Sequence, residues 1–219
     1  MTSSSQAHTK TKITARAFKA LVPGIFLVVA LLAFSSGCAS KRALVRSDYN
    51  DSLDKWTRSI KIYDGLASRL FIGATYETLS FRRAYVERYA VDYALEDTYK
   101  KEMLEREKEQ EEKYNEFFVS AFTPVESWND LDHRNPVWKL YLEDSAGSRV
   151  TPISITRVDA SDPRVREFFP YLDLWSYGYD VKFPKYSDTG MEIPGKNAKF
   201  LKLIVTGILG TGELEWRLK

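Results

Sequence analysis

From Phe117 to the C-terminus, apolar side chains recur at every second position. Trp138, Leu140 and Leu142 alternate with Lys139, Tyr141 and Glu143, and Ile153 and Ile155 with Ser154 and Thr156. Trp175, Tyr177, Tyr179, Val181 and Phe183 alternate with Ser176, Gly178, Asp180 and Lys182. Leu201, Leu203 and Val205 are followed, after a Gly-rich turn, by Leu214, Trp216 and Leu218. Side chains on a strand point to opposite faces in turn, so this period of two specifies half-buried strands. Short strands separated by Pro and Gly point to a sandwich or a barrel. The run from Ser59 to Thr75 reads the same way: Ile60 and Ile62, then Leu66, Leu70, Ile72 and Ala74, with Asp64-Gly65 as a turn or bulge.

Between these extended regions the period changes. Thr78 is a suitable N-cap, and Phe81, Tyr85, Tyr89 and Tyr93 recur every four residues, beside Ala84, Val86, Ala90 and Ala94. This predicts a helix over about 78–117, with a break near Asp97-Thr98 if it forms two pieces. After Leu95 the side chains are charged with both signs, which suits a solvated helix with i,i+4 pairs. Upstream, Tyr49, Leu53, Trp56 and Ile60 have helical spacing, so a short helix starts near Ser47 or Asp48. The expected fold is α+β: an antiparallel β-sandwich, immunoglobulin-like or similar, with a long helical insertion. It forms a single domain over 48–219, with strands in 59–75 and 117–219.

The N-terminus has a different logic. Lys10, Lys12, Arg16 and Lys19 give a basic start, and Leu21 to Phe34 is almost wholly apolar. Ser35-Ser36-Gly37 and then Cys38 follow, and Cys38 is the only cysteine among 219 residues. A basic region, an apolar core and a small-residue site are the three parts of a secretory signal. The apolar run is shorter than the roughly 20 residues that cross a bilayer. Cys38 at this junction resembles the lipobox of bacterial lipoproteins, although Ser35 stands where that class most often has Leu. The resemblance covers residues 1–40. It implies a signal peptide over 1–37, a lipid on Cys38 and a tether over 38–47. Two or three acyl chains hold a protein stably, at about 0.8 kcal/mol per buried CH₂. Ala39, and not Asp, follows the cysteine, which by the same resemblance implies the outer membrane, facing the periplasm.

Loss of the leader changes the charge. It holds four basic and no acidic residues, so residues 38–219 carry 28 Lys+Arg against 30 Asp+Glu. A net charge of −2 removes the electrostatic motive for binding nucleic acid. Within residues 38–219, one histidine, His133, and no cysteine beyond Cys38 leave no disulfide framework and no His/Cys zinc site.

Local motifs point to no cofactor, no metal and no catalytic residue. Gly207-Ile208-Leu209-Gly210-Thr211-Gly212 is G-x-x-G-x-G and is followed by an alternating strand, not by the helix a phosphate loop needs. It reads as a hairpin turn. Asp130-Leu131-Asp132-His133 lacks the calcium-loop spacing, and Asn129, Asn135 and Pro136 make it a turn. Asp159, Asp162 and Pro163 read as another loop. No serine lies in G-x-S-x-G, and no carboxylate pair stands out. The Tyr85/Tyr89/Tyr93 stripe reads as packing, with ligand binding as the alternative.

The expected function is therefore a non-enzymatic structural or adaptor lipoprotein, held to the membrane through Cys38 and serving an envelope protein partner. Tyr99, Met103 and Leu104, an apolar triplet among charges, are its candidate docking residues. The alternative is a small-molecule or glycan binder using Trp128, Trp175 and Tyr179. A deep aromatic-lined pocket favours the second reading, and a closed surface the first.

Overall fold

The computed structural model describes residues 40–218, so the signal region and Cys38 lie outside the described residues. The chain divides into two units, 1–44 and 45–219. Of the first, residues 40–44 are described and are helical. The second holds all the strands named below.

Helix α1 covers residues 40–56. It therefore takes in residues 40–47, for which the sequence suggested a tether. Lys41, Arg42, Ala43, Leu44 and Arg46 are good helix formers but have no apolar period to reveal them. The extended run expected over 59–75 is a hairpin of two strands, β1 (Thr57–Asp64) and β2 (Ala67–Tyr76), and Gly65 at φ +58° makes Asp64-Gly65 a turn and not a bulge. Leu66, placed by the alternation among the buried residues, instead sits fully exposed at the tip.

The long helix is two helices, α2 (Leu79–Asp92) and α3 (Asp97–Lys113). Thr78 caps α2, its hydroxyl accepting from the Phe81 N–H at 3.3 Å. Ala94 ends it in the left-handed region at φ +50°. The Leu95 N–H then donates to the Ala90 carbonyl at 2.9 Å and the Ala94 N–H to that of Val91 at 3.5 Å. This is a Schellman closure with alanine in the usual glycine position, so no Gly or Pro marks the stop. Lys100 pairs with Glu87 and Arg82 with Glu107, so the two helices run antiparallel. The expected helix end at 117 is also corrected, because β3 (Tyr114–Phe122) begins at residue 114.

The remaining strands are β4 (Trp138–Asp144), β5 (Arg149–Val150), β6 (Ser154–Val158), β7 (Tyr177–Pro184), β8 (Phe200–Gly207) and β9 (Gly210–Arg217). Helix α4 (Pro163–Phe168) lies between β6 and β7, where a loop was expected. Asp162 caps it by accepting from the Arg164 N–H at 2.9 Å, and Pro163 has the fixed φ that suits a first turn. The fold is α+β with two antiparallel sheets, ordered β1-β2-β3-β7-β6 and β5-β4-β8-β9, and neither sheet closes into a barrel.

The inner faces of both sheets contribute to one buried cluster. Phe117, Val119 and Ala121 of β3 and Tyr179, Val181 and Phe183 of β7 meet Trp138, Leu140 and Leu142 of β4 and Leu201, Leu203 and Val205 of β8. Leu214 and Trp216 of β9 complete it, and the Trp216 indole N–H donates to the Trp56 carbonyl at 2.7 Å. The Gly-rich segment at the β8–β9 hairpin has a packing role. A Cβ on Gly212 would lie 2.2 Å from Ile60 Cδ1, and one on Gly210 would lie 2.7 Å from Ile62 Cγ2. These glycines let β1 pack directly against β9.

The five-stranded sheet is covered on its outer face as well. Phe118, between the inward Phe117 and Val119, joins Tyr49 and Leu53 of α1, Phe81 of α2, Phe168 of α4, and Phe169 and Leu172 in a second cluster. The half-buried pattern expected of every strand therefore fails for β3, which is buried on both faces along most of its length.

Candidate functional site

The second cluster leaves space. A cavity of about 390 Å³ lies among α2, α3, α4 and the outer face of β3, β6 and β7. Its volume falls within the ~300–1,000 Å³ typical of small-molecule pockets. One wall is aromatic: Phe81, Tyr85 and Tyr89 from α2, Phe168 and Phe169, and Phe118 from the sheet. The four-residue spacing of α2 stacks Tyr85 on Tyr89 at 6.1 Å between ring centroids. Tyr93, half exposed, stacks on Tyr89 at 4.3 Å. Phe118 lies flat on Phe169 at 3.8 Å and 9°. Beneath this wall Tyr49 donates its hydroxyl proton to the Phe168 carbonyl at 2.6 Å. The Arg88 guanidinium covers the Tyr49 and Phe168 rings at 4.8 and 4.5 Å and pairs with Glu167 at 2.5 Å.

The opposite wall is charged. Arg82 is 4% exposed and is held from several sides. It donates to the Glu77 carbonyl at 2.8 Å, lies 3.1 Å from the Glu77 carboxylate, and pairs with Glu107 of α3 and Glu116 of β3. Lys182 of β7, directly opposite Glu116 in the ladder, takes its other oxygen at 2.5 Å. Asp180 lies opposite Phe118 on the same face. Its side chain is exposed to the cavity and makes no hydrogen bond or ion pair among the described residues. The lining holds five carboxylates, Glu77, Glu107, Glu116, Asp162 and Asp180, against three cations, Arg82, Arg164 and Lys182. Burial, offset by Arg82 and reinforced by Asp180, Glu116 and Glu107, pushes the Glu77 carboxyl up to about 7. Burial and the nearby Glu116 raise Asp180 as well.

The residues singled out in the sequence are distributed differently. Tyr85 and Tyr89 line the cavity, so the tyrosine stripe both packs and faces open space. Tyr179 is fully buried in the inner core, its hydroxyl donating to Asn129, and is removed from the set of exposed aromatics. Trp128 is half-buried under the Arg69 guanidinium at 5.9 Å, and Trp175 is exposed. These three do not line the cavity. The Asp130 carboxylate accepts from the Val137 N–H at 2.9 and 3.1 Å and so ties its own loop.

On α3, Tyr99 is exposed, whereas Met103 and Leu104 are half-buried. The half-buried positions of this helix are 100, 103, 104, 107, 110 and 111, a stripe at helical spacing. The charged segment is therefore solvated on one side only. Glu107 and Gln110 reach the cavity, and Glu111 pairs with Lys185 at 2.9 Å. Sequence reasoning missed Glu77, Arg82, Glu107, Glu116 and Asp180. Glu116 beside Phe117-Phe118-Val119 was the available signal, because a carboxylate entering an apolar strand calls for a partner.

No family model matches the chain, and no curated protein matches it. Among solved structures, the chain is similar to a novel protein of unknown function from Burkholderia pseudomallei K96243. The two are 9% identical with a TM-score of 0.44, over 81% of this chain and 86% of that one. Among the described residues, no helix is long and apolar enough to cross a membrane.

Proposed function

We propose that the chain is a lipid-anchored cell-envelope protein whose folded body binds a small molecule in the cavity beneath α2, without a catalytic step. The observation that carries the binding reading is the cavity itself, a ~390 Å³ space with six aromatic rings on one side and fixed charges on the other. Apolar walls with a few convergent polar groups are the usual make-up of a ligand site. The anchoring part rests on the lipobox resemblance at Cys38, with the outer membrane, facing the periplasm, as its address. We read the two sheets as a β-sandwich of immunoglobulin-like or related type with α2 and α3 inserted between β2 and β3. The adaptor reading remains as a second function, supported by the exposed Tyr99 near the start of α3.

Two measurements test the proposal. Metabolic labelling with a fatty-acid analogue should mark the wild type and not Cys38→Ala; labelling of the variant contradicts anchoring. Native mass spectrometry of the detergent-extracted full chain, incubated with a small-molecule extract of its host, should show a bound organic molecule. Val165→Trp, which fills the cavity from α4, should lack it. A wild-type protein that stays empty contradicts the binding reading.

A further inference from the structure

The lining tells which ligand chemistry fits. Arg82 is saturated by Glu77, Glu107 and Glu116, and Lys182 is committed to Glu116. Arg82 has no free direction for an anionic ligand, and Lys182 and Arg164 each already hold a carboxylate. The acidic side is different, because Asp180 faces the cavity without an ion pair among the described residues. It also stands beside Phe118, where the charged wall meets the aromatic one. A positive group at Asp180 would lie in the same cavity as the Tyr85 and Tyr89 rings. Carboxylate and ring both attract a cation, the first by a charge-assisted hydrogen bond and the second through the ring quadrupole.

We propose that the cavity takes a primary ammonium compound with an aromatic or apolar body, the ammonium on Asp180 and the body against Tyr85, Tyr89 and Phe168. This rests on the small-molecule reading above and names its ligand class. The lining holds more carboxylates than cations, which favours a cation, and the partial enclosure keeps solvent from screening it fully. A carboxylate ligand would meet Asp180 and Glu77 in a lining whose cations are each already paired with an acid.

The test uses the full chain in detergent and three probes of similar shape: 2-phenylethylammonium, 2-phenylethanol and 3-phenylpropionate. Isothermal titration should show the ammonium binding at least about tenfold more tightly than the alcohol, a difference of ~1.4 kcal/mol. The carboxylate should bind weakest. Asp180→Asn, which breaks no hydrogen bond or ion pair among the described residues, should fold normally and lose the preference for the ammonium. Val165→Trp should lose binding of every probe. If the alcohol or the carboxylate binds as well as the ammonium, and Val165→Trp removes that binding, the cavity is a ligand site and the cation inference is wrong. The cation inference is equally wrong if Asp180→Asn keeps the preference. If none of the three binds, the inference and the binding reading both fall.

Discussion

The two faces of the five-stranded sheet solve the same burial problem differently. The inner face meets another sheet, and the facing side chains are aliphatic and aromatic groups that interdigitate. Its internal polar groups are few, and most are paired, as with Tyr76 donating to Asn115 at 2.8 Å, although the buried Trp138 indole N–H has no hydrogen-bond partner among the described residues. The outer face meets helices α1, α2 and α4, whose curved surfaces leave a gap against the sheet. That gap is where charges from α2, α3, β3 and β7 converge. Burial on the inner face stabilises the fold, while the outer face keeps a cavity and a set of carboxylates that repel one another. Stability and the proposed binding are thus divided between the two sides of one sheet.

The largest expected effect lies inside. Trp216→Ala should destabilise the body by about 3–5 kcal/mol in urea denaturation, as expected for removing a buried Trp. Trp175→Ala, at an exposed position, should change stability by less than about 0.5 kcal/mol. Similar losses in both would mean that the inner core is wrongly placed.

Next comes Arg82→Met. It leaves Glu116 with Lys182 alone and removes the common partner of three acids, so a loss of about 2–3 kcal/mol is expected. This is less than for a fully buried pair because Glu77 and Glu107 keep some solvent contact. A neutral effect would show that the outer charges are solvated, which would erase the contrast between the faces.

A pH series on Glu77→Gln sharpens the same point. The folded-state pKa of Glu77 is raised to about 7, so between the ordinary carboxylate range and pH 7 the native state holds a proton that the unfolded chain has released. Its carboxylate therefore lowers stability as pH rises through that window. The variant should match the wild type near about pH 4 and exceed it increasingly up to about pH 8. A gain that shrinks with rising pH would reverse the sign and contradict the burial of Glu77.

The smallest effect concerns the turn that folds α3 back on α2. Ala94→Gly relieves a left-handed alanine and should add about 0.5–1 kcal/mol. A loss would mean that the turn does not have this backbone conformation.

The difference in legibility follows the same division. Inner strands were readable because period two is local: Leu201, Leu203, Val205, Leu214 and Trp216 each declare their face by their neighbours. The outer site is assembled from residues far apart in the chain, as in the pairing of Arg82 with Glu116, and nothing local links them. The charges of α3 looked uniformly solvated because a polar stripe that meets polar partners has no hydrophobic period. A break near Asp97-Thr98 was legible from the change of character after Leu95, but its pivot, Ala94, was hidden because alanine rarely takes that conformation. Helix α4 is short, and its Asp162-Pro163 start reads equally well as a loop.

The contrast between the faces is tested most directly by fluorine NMR of the full chain labelled with 3-fluorotyrosine. Resonances would be assigned by single Tyr→Phe changes and followed during titration with 2-phenylethylammonium. The account predicts saturable shifts at Tyr85 and Tyr89, which line the cavity, and none at Tyr76 and Tyr179, which belong to the inner cluster. Silent Tyr85 and Tyr89 signals, or shifts of equal size on both faces, would contradict it.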